Sequence, residues 1–120
     1  MLINLTNHPS SSWGAEQREA AAEYGGGVVD VPFPTVEAVA GGDEVALLAG
    51  RYAAEIAGRY TPGSDTVHVM GEMTFTYALV RRLRERGFRC VASTTERVKR
   101  QLPDGSFISE FKFQKFRDYE

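Results

Sequence analysis

Thr66-Val67-His68-Val69-Met70-Gly71-Glu72-Met73-Thr74-Phe75-Thr76-Tyr77-Ala78-Leu79 runs on through Val80–Arg86 to Gly87 and then to Phe88-Arg89-Cys90-Val91-Ala92. The first five residues are rich in β-branched and apolar side chains, as a strand with both faces covered would be. From Thr74 to Arg86 the apolar residues change period: Phe75, Leu79 and Leu83 fall four apart and draw one stripe on a helix. Gly87 supplies the left-handed cap that ends such a helix, and Phe88–Ala92 is apolar again. Strand, glycine-containing turn, helix and strand in this order form one right-handed crossover unit and imply a parallel sheet.

Upstream, Leu2–Leu5 reads as strand one, and Ser10-Ser11-Ser12 supplies candidate N-caps for a helix from about Gly14 to Tyr24 that Gly25-Gly26-Gly27 ends. Val28-Val29-Asp30-Val31 is strand two, stopped by Pro32-Phe33-Pro34. From Asp43 to Tyr60, Val45, Leu48, Ala49, Tyr52, Ala53 and Ile56 recur at helical spacing, and Thr61-Pro62-Gly63-Ser64 closes the element. Downstream, Ser93-Thr94-Thr95-Glu96-Arg97 reads as a polar loop after strand four. Pro103-Asp104-Gly105-Ser106 is a turn between Val98–Leu102 and Phe107–Phe116, so a β-hairpin over about 97–117 ends the chain. The expected fold is α/β: a Rossmann-like, three-layer domain with a four-stranded, mostly parallel sheet of order 2-1-3-4, helices on both faces and a C-terminal hairpin.

A chain of 120 residues with 42% hydrophobic and 25% charged side chains is the size and composition of one globular domain spanning 1–120. No stretch approaches the roughly 20 apolar residues of a membrane span, and Met1–Leu5 leads into Asn7-His8-Pro9 without a basic leader, so a cytoplasmic protein without a membrane partner is expected. The single cysteine, Cys90, excludes an internal disulfide and reads as a buried small hydrophobe. Residues 1–66 carry three basic against nine acidic side chains, and residues 67–120 carry eleven against seven. That asymmetry fits an anionic ligand met from the C-terminal half, or a solvated helix face, since Arg81, Arg82, Arg84, Arg86 and Arg89 lie on or beside one helix. With a sequence pI of about 5.7, long duplex DNA is not an expected partner.

In an open parallel sheet, loops beyond the carboxyl ends of the strands line a crevice where strand order reverses. Order 2-1-3-4 puts that crevice between Asn7–Ser12 and Gly71–Thr74. The turn before the second crossover helix can offer free N–H groups and the Thr74 or Thr76 hydroxyl to a phosphate, or can be a tight turn with Thr74 as N-cap. It lacks the glycines and lysine of a P-loop. In the first loop, Trp13 either stacks on a base or covers the first helix. His8 could serve as an acid, a base or a phosphate-binding cation, or simply be an exposed loop residue. His68, between Val67 and Val69, reads as a core histidine. Arg97 suits bidentate phosphate contact, with Thr94 and Thr95 reaching ribose or phosphate oxygens, unless Arg97 only pairs with Glu96. Two histidines and scattered carboxylates provide no metal-ligand spacing, so neither metal nor cofactor is expected.

The run Val67–Leu79 followed by Cys90-Val91-Ala92-Ser93-Thr94-Thr95-Glu96 resembles the strand, turn, helix and next strand of CRISPR-associated Rossmann-fold (CARF) domains, small standalone forms of which accompany type III CRISPR systems. The resemblance implies a homodimer that binds cyclic oligoadenylate, cyclic tetra-adenylate first, in a shared cleft. For the ring nucleases of that family it further implies cleavage by metal-independent attack of a ribose 2′-hydroxyl, which would switch off the antiviral signal. On this reading His8, Ser11 and Arg97 are the catalytic candidates. Asn7, Ser10, Ser12, Trp13, Gly71, Glu72, Met73, Thr74, Thr76, Thr94 and Thr95 are the ligand-binding ones. The chain departs from the better-known ring nucleases in having no lysine beside the turn helix, which leaves Arg97 or His8 to supply a cation. A non-catalytic sensor or sponge, and a nucleotide or sugar-phosphate hydrolase with Glu72 or His8 as base, are the alternatives.

Overall fold

The computed structural model describes residues 1–120 as a mixed α/β domain. The elements in chain order are β1 (Leu2–Thr6), a single 3-10 turn (Ser10–Ser12), α1 (Ala15–Ala22), β2 (Val28–Asp30), α2 (Gly42–Arg59), β3 (Thr66–Met70), α3 (Met73–Glu85), β4 (Arg89–Gln101) and β5 (Phe107–Asp118). The sheet has five strands in the order β2-β1-β3-β4-β5, the first four parallel and the last pair antiparallel. No helix is long and apolar enough to cross a membrane.

Alternation within the central strands sorts the core into two layers. Ile3, Leu5, Val67, Val69 and Cys90 face α2 and α3, which contribute Val45, Ala49, Ala53 and Ile56 from one helix and Phe75, Leu79, Val80 and Leu83 from the other. Leu2 and Val91 face the opposite way, under Trp13 and Ala21, with Tyr24 and Phe116 packed on them. Helices therefore cover both faces, but unequally: the second layer is thin and largely aromatic. Burial pushes the Cys90 thiol up to about 12, so it is an inert packing group at neutral pH.

The sheet corrects the expected four strands to five, and the cause is β4. Ser93–Arg97, expected as a loop, is the middle of a 13-residue strand. Only Arg89–Val91 pair with β3, so from Ala92 onward β5 is the sole neighbour of β4. At about 3.4 Å per residue β4 is ~44 Å long, close to the largest extent of the molecule, 51 Å, so the hairpin projects beyond the body. The β-branched and alternating residues Val91–Val98 continue the strand because β5 satisfies their backbone groups. A bulge between Thr94 and Thr95 brings Phe113 and Phe116 to the same face. The first helix begins one residue later than expected, with Gly14 as its N-cap; Ser10–Ser12 form the 3-10 turn instead.

Gly71, at the end of β3, is required by a close approach: a Cβ there would overlap the Phe33 ring, which itself stands edge-on to Phe75 with centroids 5.2 Å apart. Gly71→Ala should therefore lower the unfolding free energy by about 1–3 kcal/mol, as overpacking does. A urea midpoint equal to that of the wild type would show that Phe33 yields without cost.

Candidate functional site

Asn4 and His68 are directly opposed in the β1–β3 register and share the thinner face of the sheet. Asn4 Nδ2 donates to the Asp30 carboxylate and to the His8 carbonyl, both at 2.8 Å. Two acceptors on that side fix which end of the amide is nitrogen. Asn4 Oδ1 then accepts from the Thr6 hydroxyl at 3.0 Å and from His68 Nδ1 at 3.0 Å. The tautomer follows: His68 carries its proton on Nδ1, and Nε2 is a bare acceptor without a partner. Burial drops the His68 pKa to about 4, since an imidazolium here would face Trp13 and Phe116, with ring centroids 5.8 and 5.1 Å away.

Asp30 extends the network to the first loop. It accepts from the Ser10 amide at 3.0 Å and from the Ser10 hydroxyl at 2.9 Å. Partial burial is the largest single influence and works to raise its pKa, but the bonds from Asn4 and Ser10 together outweigh it and hold the carboxyl below its usual range. The loop Asn7–Ser12 is thus pinned from below, through the buried Asn4 of β1, itself bonded to the buried His68 of β3, and through the exposed carboxylate of Asp30 in β2.

Above this floor, at the carboxyl end of the parallel strands, lies an open cleft of about 1060 Å³. Asn7, His8, Ser12 and Trp13 line one side and Met70 and Gly71 the base, beside Ser93 and Thr95 of β4; Phe111, Lys112 and Phe113 of β5 form the far wall. Glu16 of α1 and Lys112 approach across it, 3.7 Å apart. The strand order reverses between β1 and β3, the position where such sheets take ligands.

Of the candidates named from sequence, Asn7, His8, Ser12, Trp13, Gly71 and Thr95 line the cleft. Trp13 is buried and covers His68 and Phe116, so it is a packing residue and not an open stacking face. Ser10 is committed to Asp30, and Ser11 is exposed, with its carbonyl taken by Arg18. Neither lines the cleft. Thr94 donates to the Lys115 carbonyl, and Arg97, on the projecting ribbon, donates from Nε and Nη2 to Ser109 Oγ at 3.2 Å each. The alternative, an Arg97–Glu96 pairing, does not form, because neighbours on a strand point to opposite faces.

The end of α3 differs most from expectation. Glu72, not Thr74, is the N-cap, and its carboxylate accepts from the Thr74 and Phe75 amides at 3.0 and 2.8 Å and from the Thr74 hydroxyl at 2.7 Å. The Thr74 hydroxyl bond first, then the two amides, hold the Glu72 pKa below its usual range. The helix terminus is already occupied by an anion of the chain itself. Met73 and Thr76 lie beyond it, lining a separate hollow of about 510 Å³ with Tyr77, Arg81, Arg84 and Tyr119.

Residues that sequence reasoning left out of the site are Asn4, Thr6, His68, Gln17 and the β5 wall. Period-two alternation in Phe111-Lys112-Phe113 was the available signal for the wall; nothing local placed it opposite Asn7 and His8.

A family model, described as the Uncharacterized protein MJ1673 family, matches residues 1–117. The chain belongs to the MJ1673 family. No curated protein and no solved structure matches it. In this MJ1673-family chain the match takes in every element of the cleft, including the β5 wall.

The buried neutral His68 has a thermodynamic signature. From its ordinary 6.5 down to about 4 the unfolded chain holds more protons than the folded one, so stability falls as pH is lowered through that window and levels off below it. The loss at the foot of the window is about 3 kcal/mol, and Asp30, whose folded pKa lies below that of an ordinary carboxyl, titrates mainly under it. Urea unfolding of wild type and His68→Gln at pH 7, 5.5 and 4 should show a steeper decline in the wild type, over and above the loss that carboxylates such as Glu72 cause in both as pH nears 4; parallel curves would mean that the ring is solvated or charged in the fold.

Proposed function

We propose that the cleft binds a cyclic oligoadenylate, cyclic tetra-adenylate first, and that the protein is a CARF-like, Rossmann-type member of a type III CRISPR system acting as a homodimer. The observation that carries this reading is the size and place of the cleft. At about 1060 Å³ it exceeds the roughly 300–1,000 Å³ of most small-molecule sites, and it opens at the reversal of a β2-β1-β3-β4 parallel order. A mononucleotide would leave much of it unfilled. Asn7, Ser12, Thr95 and Gln17 offer hydrogen bonds to riboses and base edges, Lys112 offers a cation, and Phe111 and Phe113 offer base-stacking faces. The exposed side chains of Met73 and Tyr77, next to Gly71 at the cleft base, supply an apolar surface for a second copy.

Ring opening would proceed by attack of a ribose 2′-oxygen on the adjacent phosphorus. The proton passes to His8, the 5′-oxygen departs and takes up a proton, and a 2′,3′-cyclic phosphate remains. The placement of Ser11 and Arg97 outside the cleft favours a second reading: a sensor or sponge that releases the ring intact.

The test is incubation of excess protein with cyclic tri-, tetra- and hexa-adenylate in EDTA, followed by chromatography. Cleavage should survive the chelator, and His8→Ala should slow single turnover by at least ~10²-fold, the lower range for an acid–base group, with less effect on affinity. A ring that binds but stays intact over hours establishes the sponge reading. No binding of any ring, or a monomer by light scattering with and without ligand, would sink the proposal.

A further inference from the structure

The projecting ribbon has two unlike faces. In the β4–β5 register Thr95 pairs with Phe113, Arg97 with Phe111, Lys99 with Ser109 and Gln101 with Phe107, and directly opposed residues share a face. One face therefore carries Arg97, Lys99, Phe107, Phe111 and Phe113 and no carboxylate. The other carries Glu96, Arg100, Glu110 and Lys112, with Arg100 and Glu110 bonded at 2.9 Å and Lys112 paired with Glu16. One face is charge-balanced, while the cations of the other have no acidic partner: Arg97 meets only the neutral Ser109 hydroxyl. On that same face Phe107 and Phe111 stand 64% and 71% exposed.

We infer that this face is a binding strip for single-stranded nucleic acid: it shares Phe111 and Phe113 with the wall of the cleft and runs past it through Arg97, Lys99 and Phe107, and it does not depend on the cyclic ligand proposed above. Unpaired cations beside bare phenyl rings match a polyanion that also presents flat apolar rings, and stacking on aromatics combined with backbone attraction is how unpaired strands are held without sequence preference. Spacing excludes a duplex. Along β5, Phe111 and Phe113 are ~7 Å apart and Phe107 and Phe111 ~14 Å, at about 3.4 Å per residue; bases in a duplex strand rise about 3.4 Å and stay stacked on one another. Only an extended, unpaired strand can bring separate bases to these rings. A second copy of the chain is a poorer fit, because the face would set Arg97 and Lys99 against their own kind.

Fluorescence anisotropy of a labelled 12-nucleotide RNA, with the same DNA sequence and a 12-base-pair duplex alongside, tests the inference on the full chain. Phe107 and Lys99 lie outside the cleft lining, so their variants separate this strip from the cyclic-ligand site. Phe107→Ala should weaken single-strand binding by about 5- to 150-fold, the size of one lost base stack. Lys99→Ala should reduce the slope of log affinity against log salt by about 0.7. Both variants should leave the affinity for a cyclic oligoadenylate unchanged, and Arg100→Ala, on the balanced face, should alter neither. No anisotropy change up to about 100 μM protein, the weak end of non-specific binding, overturns the inference. So does duplex binding as tight as single-strand binding, or a Phe107→Ala variant that keeps its affinity and instead loses self-association in light scattering.

Discussion

The Asn4 carboxamide uses all four of its hydrogen-bonding positions, and they reach β2 through Asp30, β3 through His68, the first loop through the His8 carbonyl, and the end of β1 through Thr6. A half-satisfied amide in the middle of a central strand would cost more than an apolar side chain there, whereas a saturated one specifies a single arrangement. It also enforces register. A one-residue slip of β1 against β3 would turn Asn4 toward the α2–α3 core and bring Ile3 or Leu5 to the polar face, breaking two layers at once. The place of the cleft depends on this amide, because the loop that forms its near side is tied down by the same bonds. His68 completes the floor as a neutral ring, roofed by Trp13 and Phe116.

Glu72 sets the chemistry that the cleft can offer. In most open α/β sheets the helix after a strand presents free amides and a favourable dipole to a phosphate. Here a carboxylate of the chain fills that position with three bonds, and a phosphate would have to displace an intramolecular anion that has no binding entropy to lose. The cleft also includes Glu16 and Glu110 beside Lys112. On the proposed reading, recognition of a nucleotide ring would rest on hydroxyls, amides and phenyl faces more than on phosphate charge.

The parallel core was legible in the sequence because each of its signals is local. Phe75, Leu79 and Leu83 fall at helical spacing, Thr66–Met70 is a strand with the bounds expected, and glycine ends α3 at Gly87. Three things were not legible, each for a non-local reason. Ser93–Arg97 has a polar composition that suits a loop, and only β5 alongside makes it strand. Glu72 as cap depends on the side chain reaching the amides two and three residues ahead, which a pattern that favours short hydroxyl caps passes over. Asn4 and His68 lie 64 residues apart, and their opposition is a product of the register alone. Sequence reasoning opened the crevice between Asn7–Ser12 and Gly71–Thr74 and gave its strand-four side to Thr94, Thr95 and Arg97; the hollow there is lined by Asn7, His8, Ser12, Gly71 and Thr95 with Phe111, Lys112 and Phe113 opposite, while Arg97 is held by Ser109 on the ribbon.

An isolated two-stranded ribbon is marginal in water, so something must hold β4 and β5 together beyond Ala92. At its root the bulge turns Phe113 onto Phe116, which in turn meets His68 and Tyr24, with centroids 5.1, 5.1 and 5.7 Å apart. Farther out, Arg100 meets Glu110 and the Pro103-Asp104-Gly105-Ser106 turn is closed by bonds from Ser106 to Asp104. These devices sit at the root, on the balanced face and at the tip. Phe107 and Phe111 belong to none of them, and exposed rings on an edge strand invite aggregation. Lys112, Lys115 and Arg117 along β5 oppose that pairing, so the edge is guarded while the aromatic face beside it is left open. A ribbon selected for stability alone would carry threonine or a charge at both phenylalanine positions; rings kept bare between unpaired cations are arranged for something that arrives from outside the chain.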